Sequence, residues 1–336
     1  MTSRRAGCLL SSGCATLSLV GALGFALASA ALVPAAVVAH AEGQEVVDPA
    51  TGAPPEGRFV DGPDGPIFVQ VRGEGPAVVL VHGSAAWSGA WRDTLTAVSD
   101  AGFQVIAVDL PPFGYSARPT DPSYDRGSQA ARLIAVVDAL GIEQAAWVGH
   151  SFGGGPTLEA VLRHPDRAWG LALVDVALAL DDAGTDDAVD RVLRSRAARR
   201  LIVATTFSNR AATKSLLEGF VADPASATDD RVAIYQRPLD VVGTVDAIAA
   251  WLPELWSPTR PASSLDEDAI RALPLPTAVL WGTADTVTPI DQGRHLAELL
   301  PAGELVPLDD LGHIPLIEDP DAFHRALLDY LQKQRP

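Results

Sequence analysis

The sequence predicts an α/β protein: an open, mostly parallel sheet with helices on both faces and a helical lid inserted after the sixth strand. Three observations carry that prediction. Continuous apolar runs bounded by turn residues recur along the chain, as parallel strands covered on both faces require. Longer stretches with apolar residues at helical spacing lie between them, and strand alternating with helix implies crossover connections. From Ala177 to Pro274, roughly a hundred residues show helical patterns and no buried strand, and a connection that long carries structure of its own.

The elements follow in order. Phe59–Asp61 and Ile67–Arg72 read as a strand pair around the turn Gly62-Pro63-Asp64-Gly65. The apolar runs are Ala77–His82, Gln104–Val108, Ala145–Gly149, Leu171–Val174, Thr277–Trp281 and Glu304–Pro307. Helical spacing covers Trp91–Asp100, Gln129–Leu140, Thr157–Arg163, Asp291–Leu299 and Pro320–Gln332. In such a sheet, functional residues are expected just after the carboxyl ends of strands.

Residues 1–41 precede this pattern. Arg4 and Arg5, the apolar run Gly7–Ala39 and the small-x-small triplet Ala39-His40-Ala41 describe a secretory signal, with the cut expected after Ala41. The alternative is an uncleaved membrane anchor, since a run of about 30 apolar residues can span a bilayer. Residues 42–57, with Pro49, Gly52, Pro54, Pro55 and Gly57, read as a polar linker. The core is expected over 58–179 and 273–336, and the lid over 180–272.

The full chain of 336 residues carries 25 Lys and Arg against 42 Asp and Glu, a net −17; removing 1–41 makes it −19. That balance argues against nucleic-acid binding, which needs clustered cations. Both cysteines, Cys8 and Cys14, fall in the leader, so the rest of the chain has no thiol nucleophile, thiolate metal site or disulfide.

Gly149-His150-Ser151-Phe152-Gly153 follows an apolar strand and precedes a helix. A serine in a sharp strand-to-helix turn needs glycine two residues before and after, where neighbouring backbone leaves no room for side chains. Alone the pattern is weak; its context makes Ser151 a candidate nucleophile. A serine hydroxyl needs a base, and Leu311-Gly312-His313, directly after the last strand, supplies His313. The imidazole needs a carboxylate: Asp285, just past the strand Thr277–Trp281, is the first candidate and Asp175, after Leu171–Val174, its rival. Backbone N–H groups of Ser84, after the strand ending at Val81, and of Phe152 are the candidate donors to an oxyanion. His82, His164, His295 and His324 read as structural or surface residues, and the His150 side chain is expected to point away from Ser151. No phosphate loop, dinucleotide fingerprint or metal-ligand spacing is present, so neither cofactor nor metal is expected.

With these residues in place the chain resembles the α/β-hydrolase superfamily from about residue 66 to 333. The likeness runs through Leu80-Val81-His82-Gly83-Ser84, Val108–Ser116, Gly149–Gly154, His164-Pro165-Asp166-Arg167, Trp281–Asp285 and Gly312-His313. Pro112 stands where relatives commonly have Gly. The resemblance implies a lid-bearing serine hydrolase with a Ser151–His313–Asp285 triad. Ser151 argues against the dehalogenases and epoxide hydrolases of this family, which use an aspartate nucleophile. The expected substrate is a small, mostly apolar carboxylic ester, on account of Phe207, Phe220, Tyr235, Trp251 and Trp256 in the lid, unless these only form the lid's own core. Carbon–carbon (meta-cleavage-type), lactone or thioester hydrolysis on the same triad is the alternative, and an arginine holding a substrate carboxylate would favour the first of these; Arg237 is a candidate. A non-catalytic ligand-binding member of the fold is the reading from another class.

Overall fold

Eight strands form one sheet in the order β1-β2-β4-β3-β5-β6-β7-β8: β1 (Gly57–Gly62), β2 (Gly65–Arg72), β3 (Ala77–Val81), β4 (Gln104–Val108), β5 (Ala145–His150), β6 (Ala168–Val174), β7 (Thr277–Gly282) and β8 (Gly303–Leu308). A computed structural model describes residues 33–119, 123–180 and 187–336 of the chain. The β1–β2 and β2–β4 pairs are antiparallel and every other pair is parallel. Every residue of β3, β5 and β7 is buried, which is why these strands read as unbroken apolar runs. Strand order reverses between β3 and β5, so the loops after these strands open a crevice at one edge of the sheet.

Helices α1 (Arg92–Asp100), α2 (Arg126–Ala139) and α3 (Gly154–Arg163) connect the first strands. The sequence pattern starts α2 at Gln129; the helix begins three residues earlier because Asp125 caps it, its carboxylate accepting from Ser128 N–H. It starts the next helix at Thr157, whereas α3 begins at Gly154 after a 3-10 turn over Ser151–Gly153. Pro156 is tolerated there, in the first turn, where its missing N–H has no intrahelical acceptor.

Between β6 and β7 the described residues are helical: α4 (Asp187–Arg194), α5 (Arg196–Thr205), α6 (Arg210–Glu218), α7 (Asp229–Gln236) and α8 (Thr244–Trp251), with shorter turns among them. Helices α9 (Ile290–Leu299) and α10 (Pro320–Gln334) complete the chain.

The expected export segment lies outside the described residues as far as residue 32; residues 33–42 are helical. No helix of the described residues is long and apolar enough to cross a membrane. The segment read as a polar linker is tied to the insertion. Val47 pairs with Val241, and the Glu45 carboxylate accepts from Gly243 N–H (2.8 Å) and Val245 N–H (2.7 Å) at the start of α8. Glu42 pairs with Arg200 of α5, and Asp48 caps the short helix Pro49–Gly52. Its Pro and Gly content marks turns, but the Val47 backbone pairing, Glu45 at the start of α8 and the Glu42–Arg200 ion pair supply the attachment.

Candidate active site

Ser151 sits at the end of β5 with φ +50, in the left-handed region that costs a non-glycine residue about 1–2 kcal/mol. The surrounding contacts hold that strain. A Cβ on Gly149 would lie 2.7 Å from Thr157 Oγ1 and 2.8 Å from Gly154 Cα. The Ser151 carbonyl accepts from Ala177 N–H at 3.1 Å. The turn thus presents the hydroxyl at the first turn leading into α3, where helix N–H groups give positive potential.

Ser151, His313 and Asp285 form one hydrogen-bonded line. Ser151 Oγ lies 2.8 Å from His313 Nε2, and His313 Nδ1 lies 2.8 Å from Asp285 Oδ2. All three are buried. Asp285 also accepts from Thr288 Oγ1 (2.6 Å), Val287 N–H (2.7 Å) and Thr288 N–H (3.0 Å). Burial works to raise the Asp285 pKa, but the hydrogen bond and charge of His313, with the bonds from Thr288, outweigh it and hold the carboxyl below its ordinary value. A line so bonded fixes the imidazole with Nδ1 protonated and Nε2 free to take the serine proton.

Asp175 lies elsewhere in the cluster. It is fully buried at the end of β6, and its Oδ1 accepts from Gly282 N–H at 2.8 Å; the bond to His313 belongs to Asp285. The loop after β3 passes directly beside the serine: a Cβ on Gly83 would lie 2.9 Å from Ser151 Cβ. Gly83 and Ser84 both line the cavity above Ser151, and Ala85 turns the chain away with φ +56. Phe152 is buried, its ring 4.8 Å from that of Trp251.

Three supports escaped the sequence reading. His150 lines the same cavity as Ser151, and its Nε2 donates to the His313 carbonyl at 2.8 Å. Burial, reinforced by neighbouring His313, pushes the His150 pKa down to about 3, so the ring is neutral. His82 is likewise neutral, pushed by burial to about 4; its Nδ1 donates to Gly83 O (2.7 Å) and its Nε2 accepts from Leu110 N–H (3.0 Å). That pair of bonds ties the Ser84 loop to the segment after β4. Finally, the insertion itself holds the histidine: His313 N–H donates to the Phe220 carbonyl at 2.8 Å.

The cavity over Ser151 has a volume of about 400 Å³. Core residues Ser84, Ser151, Val287 and Ile314 form one wall, and Phe207, Leu217, Phe220 and Tyr235 from the insertion form the other. Of the five aromatic residues expected in a lid, Phe207, Phe220, Tyr235 and Trp256 line this cavity; Trp251 is buried against Phe113, Phe152 and Phe207. Among the described residues, no Lys, Arg, Asp or Glu lines it. Arg237 is not in the wall: its guanidinium lies over the Trp87 ring, 5.8 Å from the centroid. Among the described residues, no group of three or more His, Cys, Asp or Glu side chains is placed to hold a metal ion.

Comparison with known proteins agrees with this architecture. Residues 76–320 match the family described as alpha/beta hydrolase fold. The 2-hydroxymuconate semialdehyde hydrolase of Pseudomonas putida is 31% identical over 267 residues, covering 77% of this chain and 88% of that protein. The pimeloyl-[acyl-carrier protein] methyl ester esterase of Chromobacterium violaceum is 30% identical over 278 residues, covering 80% of this chain and 99% of its own. Among solved structures, the meta-cleavage product hydrolase of Pseudomonas fluorescens IP01 superposes with a TM-score of 0.67 at 24% identity, covering 82% of this chain and 98% of that one.

Proposed function

The chain belongs to the alpha/beta hydrolase fold family and is a hydrolase of small molecules, and from that premise we propose that it cleaves a small, uncharged, mostly apolar carboxylic ester. Ser151 Oγ attacks the carbonyl carbon as its proton passes to His313 Nε2. Asp285 keeps its charge and stabilises the imidazolium. The N–H groups of Ser84 and Phe152 receive the oxyanion, His313 returns the proton to the departing alkoxide, and an acyl-serine remains. A water, deprotonated by His313, then releases the acid.

The observation that carries the ester reading is the uncharged wall of the cavity. The similar hydrolases include enzymes named for dienoates and for a methyl ester, so the family alone supports either chemistry. A dienoate brings a carboxylate, and burying it unpaired among apolar side chains costs several kcal/mol. A neutral ester brings no such penalty.

Labelling with a fluorophosphonate, in wild type and Ser151→Ala, tests the nucleophile. A panel of neutral acyl esters beside a 2-hydroxy-6-oxo-dienoate tests the substrate. Labelling that persists in Ser151→Ala contradicts the assignment, and turnover of the dienoate alone contradicts the ester reading.

The apolar leader Gly7–Ala39 supports export from the cytoplasm. Val38 is buried in the same apolar cluster as Val203, Val245 and Ala249, which supports retention of the leader as an anchor over removal after Ala41. The N-terminal mass of the purified protein decides: a chain starting at Glu42 means removal.

A further inference from the structure

Asp175 is a buried carboxyl that the proposed mechanism leaves unused. Its Oδ1 accepts from Gly282 N–H at 2.8 Å, at the end of β7, while its Oδ2 is buried with no partner that an ionised oxygen could accept from. The residue is fully buried, with φ +46, and its own N–H donates to Leu280 O at 3.1 Å. Thr288 Oγ1 lies 3.2 Å from the Asp175 carbonyl oxygen and 2.6 Å from Asp285 Oδ2, so the backbone of one aspartate and the carboxylate of the other meet at a single hydroxyl.

The charged side chains that bear on it are both anionic: Asp285, whose carboxylate meets the Asp175 backbone at the Thr288 hydroxyl, and Glu318, on the helical turn Pro315–Glu318 after β8. His313 joins the cluster through Asp285 and Thr288. Two carboxyls sharing a buried site cannot both ionise, and the one with the fewer donors keeps the proton. Asp285 accepts four bonds and Asp175 accepts one.

We propose that Asp175 is held as the neutral carboxylic acid and donates from Oδ2 to Asp285, making it the positioning residue for the acid of the triad. One side chain then grips both ends of the turn from Gly282 to Asp285: it accepts at the first residue and donates at the last. The proton stays on Asp175 throughout the cycle, while the serine proton travels to His313 alone. A donor at Asp285 spreads that carboxylate's charge over both groups. Burial and the adjacent Asp285 both hold the Asp175 pKa well above the ordinary carboxyl value.

The inference rests on the triad reading above, and its test has a readout independent of turnover. Infrared spectra of wild type at about pH 8 are expected to show the carbonyl stretch of a neutral carboxylic acid. Asp109, raised by burial to about 6, is ionised there. Asp175→Asn keeps one acceptor and one donor, so it is expected to lose that band, hold near-wild-type activity and leave the acid limb of the kcat/KM profile in place. Asp175→Ala removes both bonds and is expected to lower kcat/KM about tenfold, mainly in kcat, with the acid limb displaced upward. Absence of the band in wild type overturns the proposal whether or not either variant folds. So does an acid limb that falls by about one unit in Asp175→Asn, the result of removing a negative charge beside the triad. Absence of ester hydrolysis by the wild type with the band present would instead count against the triad reading.

Discussion

The two walls of the cavity differ in kind. The core wall is built from strand ends: it is polar and strained at Ser151 and Ala85, and dense with hydrogen bonds around Asp285 and His313. The insertion wall is apolar, and its polar lining side chains are Thr206, Thr213 and Tyr235. In the proposed reading one wall runs the acyl chemistry and the other selects among substrates. They meet where the Phe220 carbonyl accepts from His313 N–H, so the insertion also fixes the backbone of His313.

The largest effects should come from the core wall. Asp285→Asn removes the acceptor that fixes the His313 tautomer, and kcat is expected to fall by about 10³–10⁴-fold in steady-state ester assays. A loss below tenfold would mean the chemistry does not need that acid. On the insertion wall the same assay should move selectivity rather than rate. Phe207, half-buried beside Trp251, can be replaced by Arg with its head group reaching the cavity. The ratio of kcat/KM for a neutral ester over its carboxylate-bearing analogue is expected to drop by about tenfold or more. An unchanged ratio would remove the insertion from the account of specificity.

What was legible in the sequence follows the same division. Strands β3, β5 and β7 are buried on both faces, so their apolar runs are local signals, and Gly149, Ser151 and Gly153 owe their spacing to one tight turn. The supports were not legible because their partners are far apart in the chain. Glu45 caps α8 across 198 residues, and His150 reaches the His313 carbonyl across 163. The Phe220 carbonyl has no side-chain signature at all. The helical pattern in the sequence begins at Thr157, yet Gly154 and Gly155 already belong to α3, and a Cβ at Gly154 would crowd the Val176 side chain.

The buried histidines give the core a pH signature. His82 and His150 have ordinary pKa values near 6.5 in the unfolded chain and about 4 and 3 when folded, so below about 6.5 the unfolded chain binds more protons. Their contribution is present above that value and is lost as pH falls from about 6.5 toward 4 and 3. Asp109 acts in the opposite sense: its folded pKa of about 6 against 3.8 favours the folded state at low pH and is lost as pH rises through that window. Each histidine is worth on the order of 3 kcal/mol, and Asp109 together with the raised Asp175 carboxyl offsets much of that between pH 6.5 and 4. In denaturant titrations the stability of the wild type is therefore expected to fall from pH 6.5 to 4 relative to that of His82→Gln, which lacks one of the two buried histidines. An identical slope in the variant would contradict the burial argument.

The smallest effect lies at the attachment of the N-terminal segment to the insertion. Glu45→Ala leaves Gly243 and Val245 N–H without their acceptor and is expected to cost about 1 kcal/mol, or about 2 °C in Tm, with ester turnover unchanged. A shift in substrate preference instead would show that the segment shapes the cavity as well as bracing it.

The central claim is that a core competent for acyl chemistry is restricted to uncharged substrates by the insertion wall. The most direct measurement compares kcat/KM of the wild type for a neutral ester and for the same ester carrying a carboxylate at the end of its acyl chain. A preference for the neutral ester of about 100-fold or more, near 2.7 kcal/mol, is the expected result. Equal turnover of the two, or a preference for the anion, would contradict the account.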